Sequence, residues 1–270
     1  MDPNQSVGSI SEILSERVKY EQILTNYAQE MFIRGNKGKL KEFADLRGFK
    51  LETVENSGIF YVGEMAEMLL PSFMEHLPRM GIISETNYKP IFRNRWVIPI
   101  KNEDGLVHNF VGYSPDANER YIYGTSKYYR RKETLYGLEN INLAYEMGYA
   151  LLTEGITDTI RLRDMGYPNT FAMCGTHKSD FIIRQLNRCR HGIIKIPDRD
   201  SAGLRALKNW DSNRSLTLMI NMKYKDIDEM CREGAENQEW VKAYLTDCIA
   251  WIKSGEHNGQ RCLSEVVTVL

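Results

Sequence analysis

Residues 149–158 read Tyr149-Ala150-Leu151-Leu152-Thr153-Glu154-Gly155-Ile156-Thr157-Asp158. The run carries no charge until Glu154, breaks at Gly155, and is followed by apolar residues at helical spacing over 156–165. An uncharged run of this length is the pattern of a strand buried on both faces. The unit then recurs. Thr170-Phe171-Ala172-Met173 predicts a second strand, with a helix over 179–189. Gly192-Ile193-Ile194-Lys195-Ile196 predicts a third, with a helix over 202–210, and 215–220 predicts a fourth. Strands alternating with helices of this length predict a parallel sheet covered on both faces. Beyond it, Trp240, Val241, Tyr244, Leu245, Cys248, Ile249 and Ile252 recur with helical period. This amphipathic helix over 239–253 is read as a packing helix or as a docking face.

Working back toward the N-terminus, the pattern changes to α+β. Ile10, Ile13, Leu14, Tyr20, Leu24, Tyr27, Ala28 and Met31 predict a first helix, closed by the glycines at 35 and 38, and 40–46 a second. The segment 64–79 reads as a helix interrupted by Pro71 and Pro78, with Met65, Met68 and Met74 as packing residues. Strands at 95–100 and 106–113 around a turn at 102–105 predict a hairpin, and Tyr121-Ile122-Tyr123 a third strand.

Composition narrows the function classes. The 270 residues are 42% hydrophobic and 26% charged, with a formal net charge of −1. These values exclude a wholly disordered chain and a collagen-like one. No stretch approaches the ~18 apolar residues of a membrane helix. The five cysteines (Cys174, Cys189, Cys231, Cys248 and Cys262) include no CxxC pair, which argues against a zinc site and a disulfide framework and for a reducing, cytoplasmic setting. Cys174 and His108 read as structural rather than catalytic residues.

The acidic residues fall at strand ends. Glu154 follows the first parallel strand, Asp198 and Asp200 end the third, and Asp226 and Asp228 follow the fourth. The carboxyl ends of parallel strands form one rim, where sites are built. Alternate residues of an extended segment point the same way, so each Asp-x-Asp pair can face one pocket. Carboxylates gathered in this way repel one another unless cations lie among them. Oxygen-only donors suit Mg²⁺ or Mn²⁺, the ions of phosphoryl and nucleotidyl transfer. Taken singly, each acid also reads as a helix cap or first-turn residue.

These residues resemble the Toprim domain, and more closely the bacterial DnaG-type primases. The pattern is a strand ending in Glu154-Gly155 with Asp158, then Asp198-Arg199-Asp200 followed by Ala202-Gly203. Gly175-Thr176 is similar to the Gly-Thr step of the primase branch, and Lys225-Asp226-Ile227-Asp228-Glu229 to its Lys-Asp-Pro-Asp-Glu stretch. Upstream, Leu46-Arg47-Gly48-Phe49, the segment from Phe92 to Ile100 and Leu135-Tyr136-Gly137-Leu138 resemble further primase motifs. The resemblance spans about residues 10–232 and departs from the family at Tyr123, Arg199 and Ile227. Arg199 would bring a positive charge to the pocket.

The resemblance implies an N-terminal basic α+β subdomain over 1–146, a Toprim catalytic domain with a parallel, Rossmann-like sheet over 147–232, and a C-terminal helical segment over 233–270. It implies a DNA primase core that synthesises short RNA on single-stranded DNA from ribonucleoside triphosphates. Two or more Mg²⁺ (or Mn²⁺) ions would be held by Glu154, Asp198, Asp200, Asp226 and Asp228, and no zinc is expected. Glu154, Asp198 and Asp200 would carry the chemistry, with Glu154 a metal ligand or a general base. Asp158, Gly155 and Gly203 would support them.

Arg120, Lys127, Arg130, Arg131 and Lys132 interleave with Tyr121, Tyr123, Tyr128 and Tyr129, a mixture that suits an unpaired template strand or a solvated loop. Arg93, Arg95, Lys127, Arg130, Arg131 and Lys132 are the candidate template or nucleotide contacts, Arg131 being the best match to a family lysine. A second basic run, from Arg34 to Lys50, reads equally as surface or nucleic-acid contact. The chain shows neither the family's zinc module nor room for its helicase-binding domain. A replicative helicase or a separate zinc-module protein is therefore an expected partner, a phage or mobile-element origin is expected, and no membrane is. A Toprim nuclease and a non-catalytic accessory protein are the alternatives.

Overall fold

The computed structural model describes residues 10–63, 70–84, 89–125, 134–174, 180–199, 215–221, 223–255 and 266–268. Its contacts divide the chain into two compact units, one of residues 1–40, 58–102 and 106–129, the other of 41–57, 103–105 and 130–270. Among the described residues, no helix is long and apolar enough to cross a membrane.

The first unit is a four-stranded antiparallel sheet carrying a long helix. Helix α1 (Ile10–Arg34) precedes strands β1 (Phe60–Val62), β2 (Arg95–Lys101), β3 (Val107–Tyr113) and β4 (Tyr121–Tyr123), which pair in that order. The predicted hairpin and third strand are present; β1 was not foreseen. Leu24, Tyr27 and Met31 of α1 cluster with Phe60, Val97 and Phe110 on one sheet face. Tyr27 meets Phe110 edge-on at 6.1 Å between ring centroids, and each such buried side chain contributes about 1.5–3 kcal/mol. Tyr61, Trp96, Tyr113 and Tyr121 stand directly opposite one another across all four strands. Their ring centroids are 5.5, 6.3 and 5.1 Å apart, so aromatic cross-strand pairs fix the register of the whole sheet.

The helix expected over 64–79 is corrected. Residues 64–69, with Met65 and Met68, lie outside the described residues. Pro71–Phe73 is a single 3-10 turn, followed by further turns. Pro71 is tolerated only at the opening of that turn, and Met74 is exposed rather than packed.

The second unit is a sheet of order β10-β9-β8-β6-β7-β5, built from β5 (Leu135–Tyr136), β6 (Tyr149–Thr153), β7 (Thr170–Met173), β8 (Gly192–Ile196), β9 (Ser215–Met219) and β10 (Val266–Thr268). All its pairs are parallel except β5 with β7. The fold class read from the sequence, mixed α/β with a parallel Rossmann-like sheet, therefore stands.

The mostly apolar strands β6 and β8 have a direct cause: alternate residues feed two cores. Leu151, Ile194 and Ile196 join Leu216 and Leu218 under Val241, Leu245, Cys248 and Ile252. Ala150, Leu152 and Ile193 face Leu138, Ile141, Ala144, Ile182 and Leu186 instead. The helices of this unit include α2 (Lys37–Arg47, whose last turns belong to it), α3 (Leu51–Asn56), α4 (Ile141–Met147), α5 (Ile156–Asp164), α6 (Asp180–Leu186), α7 (Ile227–Arg232) and α8 (Ala235–Ser254). Helix α8 packs on the first of these cores, so its apolar face is a packing face, not a docking one. The helix expected over 202–210 lies outside the described residues.

Candidate active site

Strands β6 and β8 are neighbours, with Thr153 opposite Ile196. That register carries Glu154 and Asp198 off the carboxyl ends of adjacent strands, and the Asp198 backbone N–H donates to Glu154 Oε1 at 3.3 Å. The Asp198 side chain is 16% exposed, and Lys225 Nζ stands 3.6 Å from its Oδ2. Across the rim, Asp226 caps α7, its Oδ1 accepting from the Glu229 N–H at 2.7 Å.

Asp158, in the first turn of α5, is buried beneath these groups. Its Oδ1 accepts from the Asp228 N–H at 3.0 Å. Burial, and then the charges of Asp226, Asp198 and Asp228, hold its pKa well above the ordinary carboxylate value. Of the acids expected on the rim, Glu154 and Asp198 therefore lie together, and Asp198, Asp226 and Asp228 all act electrostatically on Asp158. Asp200 and Gly203 lie outside the described residues.

Asp228 takes a different part. Its side chain has no exposure; Oδ1 accepts from Arg161 Nε at 3.0 Å, and Oδ2 pairs with Arg232 Nε at 3.3 Å. Arg47 also donates to Oδ2. Burial raises its pKa, and the three guanidinium groups oppose that rise. Both oxygens of Asp228, expected as a metal ligand, are thus engaged by arginines, for which it is the counter-ion.

Arg199 and Arg95 have definite partners. Arg199 Nη1 donates to the Ile220 carbonyl at 2.7 Å and its N–H to Lys225 O at 2.8 Å. Arg199 thereby staples the loop after β8 to the loop after β9. Arg95 is buried, its Nη1 donating to Arg120 O at 3.2 Å. It lies two residues from Val97 and so on the same face of β2, whereas the sequence reading has it as a template or nucleotide contact. Arg93 is exposed. Lys127, Arg130, Arg131 and Lys132 lie outside the described residues.

Sequence reasoning missed Arg161 altogether. It is fully buried, and its Nη1 donates to the Gly48 carbonyl at 2.8 Å. The only signal was its place on the face of α5 that carries Asp158. Nearby, Asp164 accepts at Oδ1 from the Lys50 N–H at 2.9 Å and from Thr53 Oγ1 at 2.6 Å. Through Arg161 and Asp164 the 41–57 segment, with the Arg47-Gly48 step, joins the second unit rather than the first.

The oxygen donors Glu154, Asp198 and Asp226 fit a hard divalent cation in kind. Among the described residues, no three acidic, histidine or cysteine side chains are gathered closely enough to hold an ion. The second aspartate of Asp198-Arg199-Asp200 falls outside that set.

Against known proteins, residues 151–231 match the Toprim-like family. Residues 151–231 form a Toprim-like domain. It begins inside β6 and ends inside α7, so it holds all the rim acids together. A DNA primase of Thermotoga maritima is 28% identical over 234 residues, covering 80% of this chain and 41% of the relative. A DNA primase of Aquifex aeolicus is 29% identical over 175 residues, covering 63% of this chain and 34% of the relative. The chain thus spans about two-fifths or less of these relatives.

Among solved structures, a DnaG primase catalytic domain bound to ssDNA superposes with a TM-score of 0.73 at 18% identity, covering 90% of this chain and 84% of that one. The zinc-binding and RNA polymerase domains of the Aquifex aeolicus primase superpose with a TM-score of 0.72 at 22% identity, covering 93% of this chain and 67% of that one. The Toprim-like domain and the residues before it therefore have the fold of a bacterial DnaG-type primase catalytic core, as the motif resemblance implied.

Proposed function

We propose that this chain is the catalytic core of a DNA primase, synthesising short RNA on single-stranded DNA by divalent-metal-dependent nucleotidyl transfer in the cytoplasm. The observation that carries this reading is the pairing of Glu154 with Asp198 at the ends of adjacent parallel strands, in a Toprim-like domain whose relatives are named DNA primases. Residues 1–146 would hold the template and 147–232 the reacting groups; in the C-terminal segment 233–270, expected to be helical throughout, helix α8 would complete the cover while β10 adds an edge strand to the sheet.

Mg²⁺ or Mn²⁺, when bound, would lower the pKa of the attacking 3′-hydroxyl and neutralise the triphosphate. Glu154, Asp198, Asp200 and Asp226 would hold two or more such ions, Asp228 being committed to arginines. Asp158 keeps the turn bearing Asp226 against the rim through its bond to the Asp228 N–H. Arg93 and the basic stretch Lys127, Arg130, Arg131 and Lys132 would neutralise template or nucleotide phosphates, and the exposed Tyr121 would stack a base. A replicative helicase, or a separate protein with a zinc module, would bring this core to its start sites.

The test is one gel. The chain is incubated with single-stranded DNA, labelled ribonucleotides and Mg²⁺. RNA oligomers that disappear with a chelator support the reading. Degradation of the template would indicate a Toprim nuclease instead, and neither product an accessory protein.

A further inference from the structure

Arg161 is buried among charges. Besides Gly48 O, its Nη2 donates to Arg47 O, and its guanidinium lies over the Phe49 ring at 4.5 Å from the centroid. Its Nε meets Asp228, whose side chain is as fully buried as its own. Asp158 and Arg161 are three residues apart on α5 and so share one face. Helix α5 therefore grips Asp228 twice, its side chain through Arg161 and its backbone N–H through Asp158. Asp226, two residues earlier, opens the same turn.

We propose that Arg161 is a positioning residue which, through Asp228, clamps the 226–228 turn to the rim and so places Asp226 for the metal. Asp228 is its counter-ion and not a ligand. The clamp deepens the primase reading and rests on it for its purpose. Its physical basis is that a planar guanidinium fork fixes direction as well as charge, while a buried charge stripped of its partner is strongly destabilising.

The experiment combines thermal midpoints with Mn²⁺ titration followed by electron paramagnetic resonance in the cold, on the full chain. Asp226→Asn keeps a good helix cap, so it should leave the midpoint in place and weaken Mn²⁺ binding tenfold or more. Asp228→Asn and Arg161→Met should each lower the midpoint by on the order of 10 °C. Both should weaken Mn²⁺ binding several-fold with its stoichiometry unchanged, and Arg161→Lys should restore part of both losses. The double variant should lose less than the sum of the two single losses, because the two residues share one bond.

Asp228→Asn that melts normally and loses Mn²⁺ as Asp226→Asn does would make Asp228 a ligand and overturn the proposal. Unchanged Mn²⁺ affinity in Arg161→Met and Arg161→Lys would reduce Arg161 to a structural residue and also overturn it. A parent chain that takes up no Mn²⁺ would instead overturn the primase reading itself, and the positioning role with it.

Discussion

The carboxylate of Asp158 folds back over the Cα of Gly155, so that a Cβ at residue 155 would stand 2.2 Å from Asp158 Oδ2. Gly155 has φ −91° and ψ 145°, which any residue adopts. The glycine is therefore required by space, not by backbone conformation. Gly155→Ala should push the Asp158 carboxyl off the Asp228 N–H and cost about 1–3 kcal/mol, as overpacking does. A thermal melt together with a primer-synthesis assay checks this: the variant should lose activity at temperatures where it remains folded.

Arg95 of β2 and Arg93 just before it should separate. Arg95→Ala removes a buried side chain bonded to Arg120 O. It should cost about 1–3 kcal/mol of stability and leave template affinity per folded molecule unchanged. Arg93→Ala, at an exposed position, should keep stability within ~0.5 kcal/mol. It should weaken binding to single-stranded DNA with a shallower salt dependence, lowered by about one phosphate contact. Fluorescence anisotropy across a salt titration reads both.

Acid should unfold the first unit through His108. Burial, and then the charge of Arg17, lower the pKa of this residue to about 4. Glu21 Oε1 lies 3.9 Å from its Nδ1, but that carboxylate is already held by Arg17 at 3.1 Å and Asn102 at 3.0 Å. The unfolded chain takes up the proton near pH 6.5 and the folded one only near 4. Stability is thus complete above the unfolded value and is lost as pH falls between the two, by about 2–3 kcal/mol. His108→Gln should flatten this dependence in denaturant melts at pH 7 and pH 5.

Much of this architecture was legible because two-sided burial leaves a plain mark. Strands β6 and β8 run mostly apolar since alternate residues enter separate cores, and the acids that follow them, Glu154 and Asp198, come together at their carboxyl ends. Strand β5 is two residues long and antiparallel, too short for any period to show. Asp228 and Asp226 are indistinguishable by spacing. What separates them is Arg161, 67 residues away, and Arg47, 181 away. Long-range charge pairing leaves no local pattern, so a counter-ion reads as a ligand. Arg95 reads as a template or nucleotide contact because burial of both faces of β2 is set by distant elements, not by the strand's own period.

Asp198→Asn tests the central claim most directly, because Asp198 pairs with Glu154 at the strand ends while keeping part of its surface in solvent. The measurement is ribonucleotide incorporation on single-stranded DNA with Mg²⁺, parent against variant, alongside their thermal midpoints. The account predicts that the variant melts within a few degrees of the parent and makes at most one-hundredth of its RNA product. Primer synthesis at the parent rate by a folded Asp198→Asn chain would contradict it.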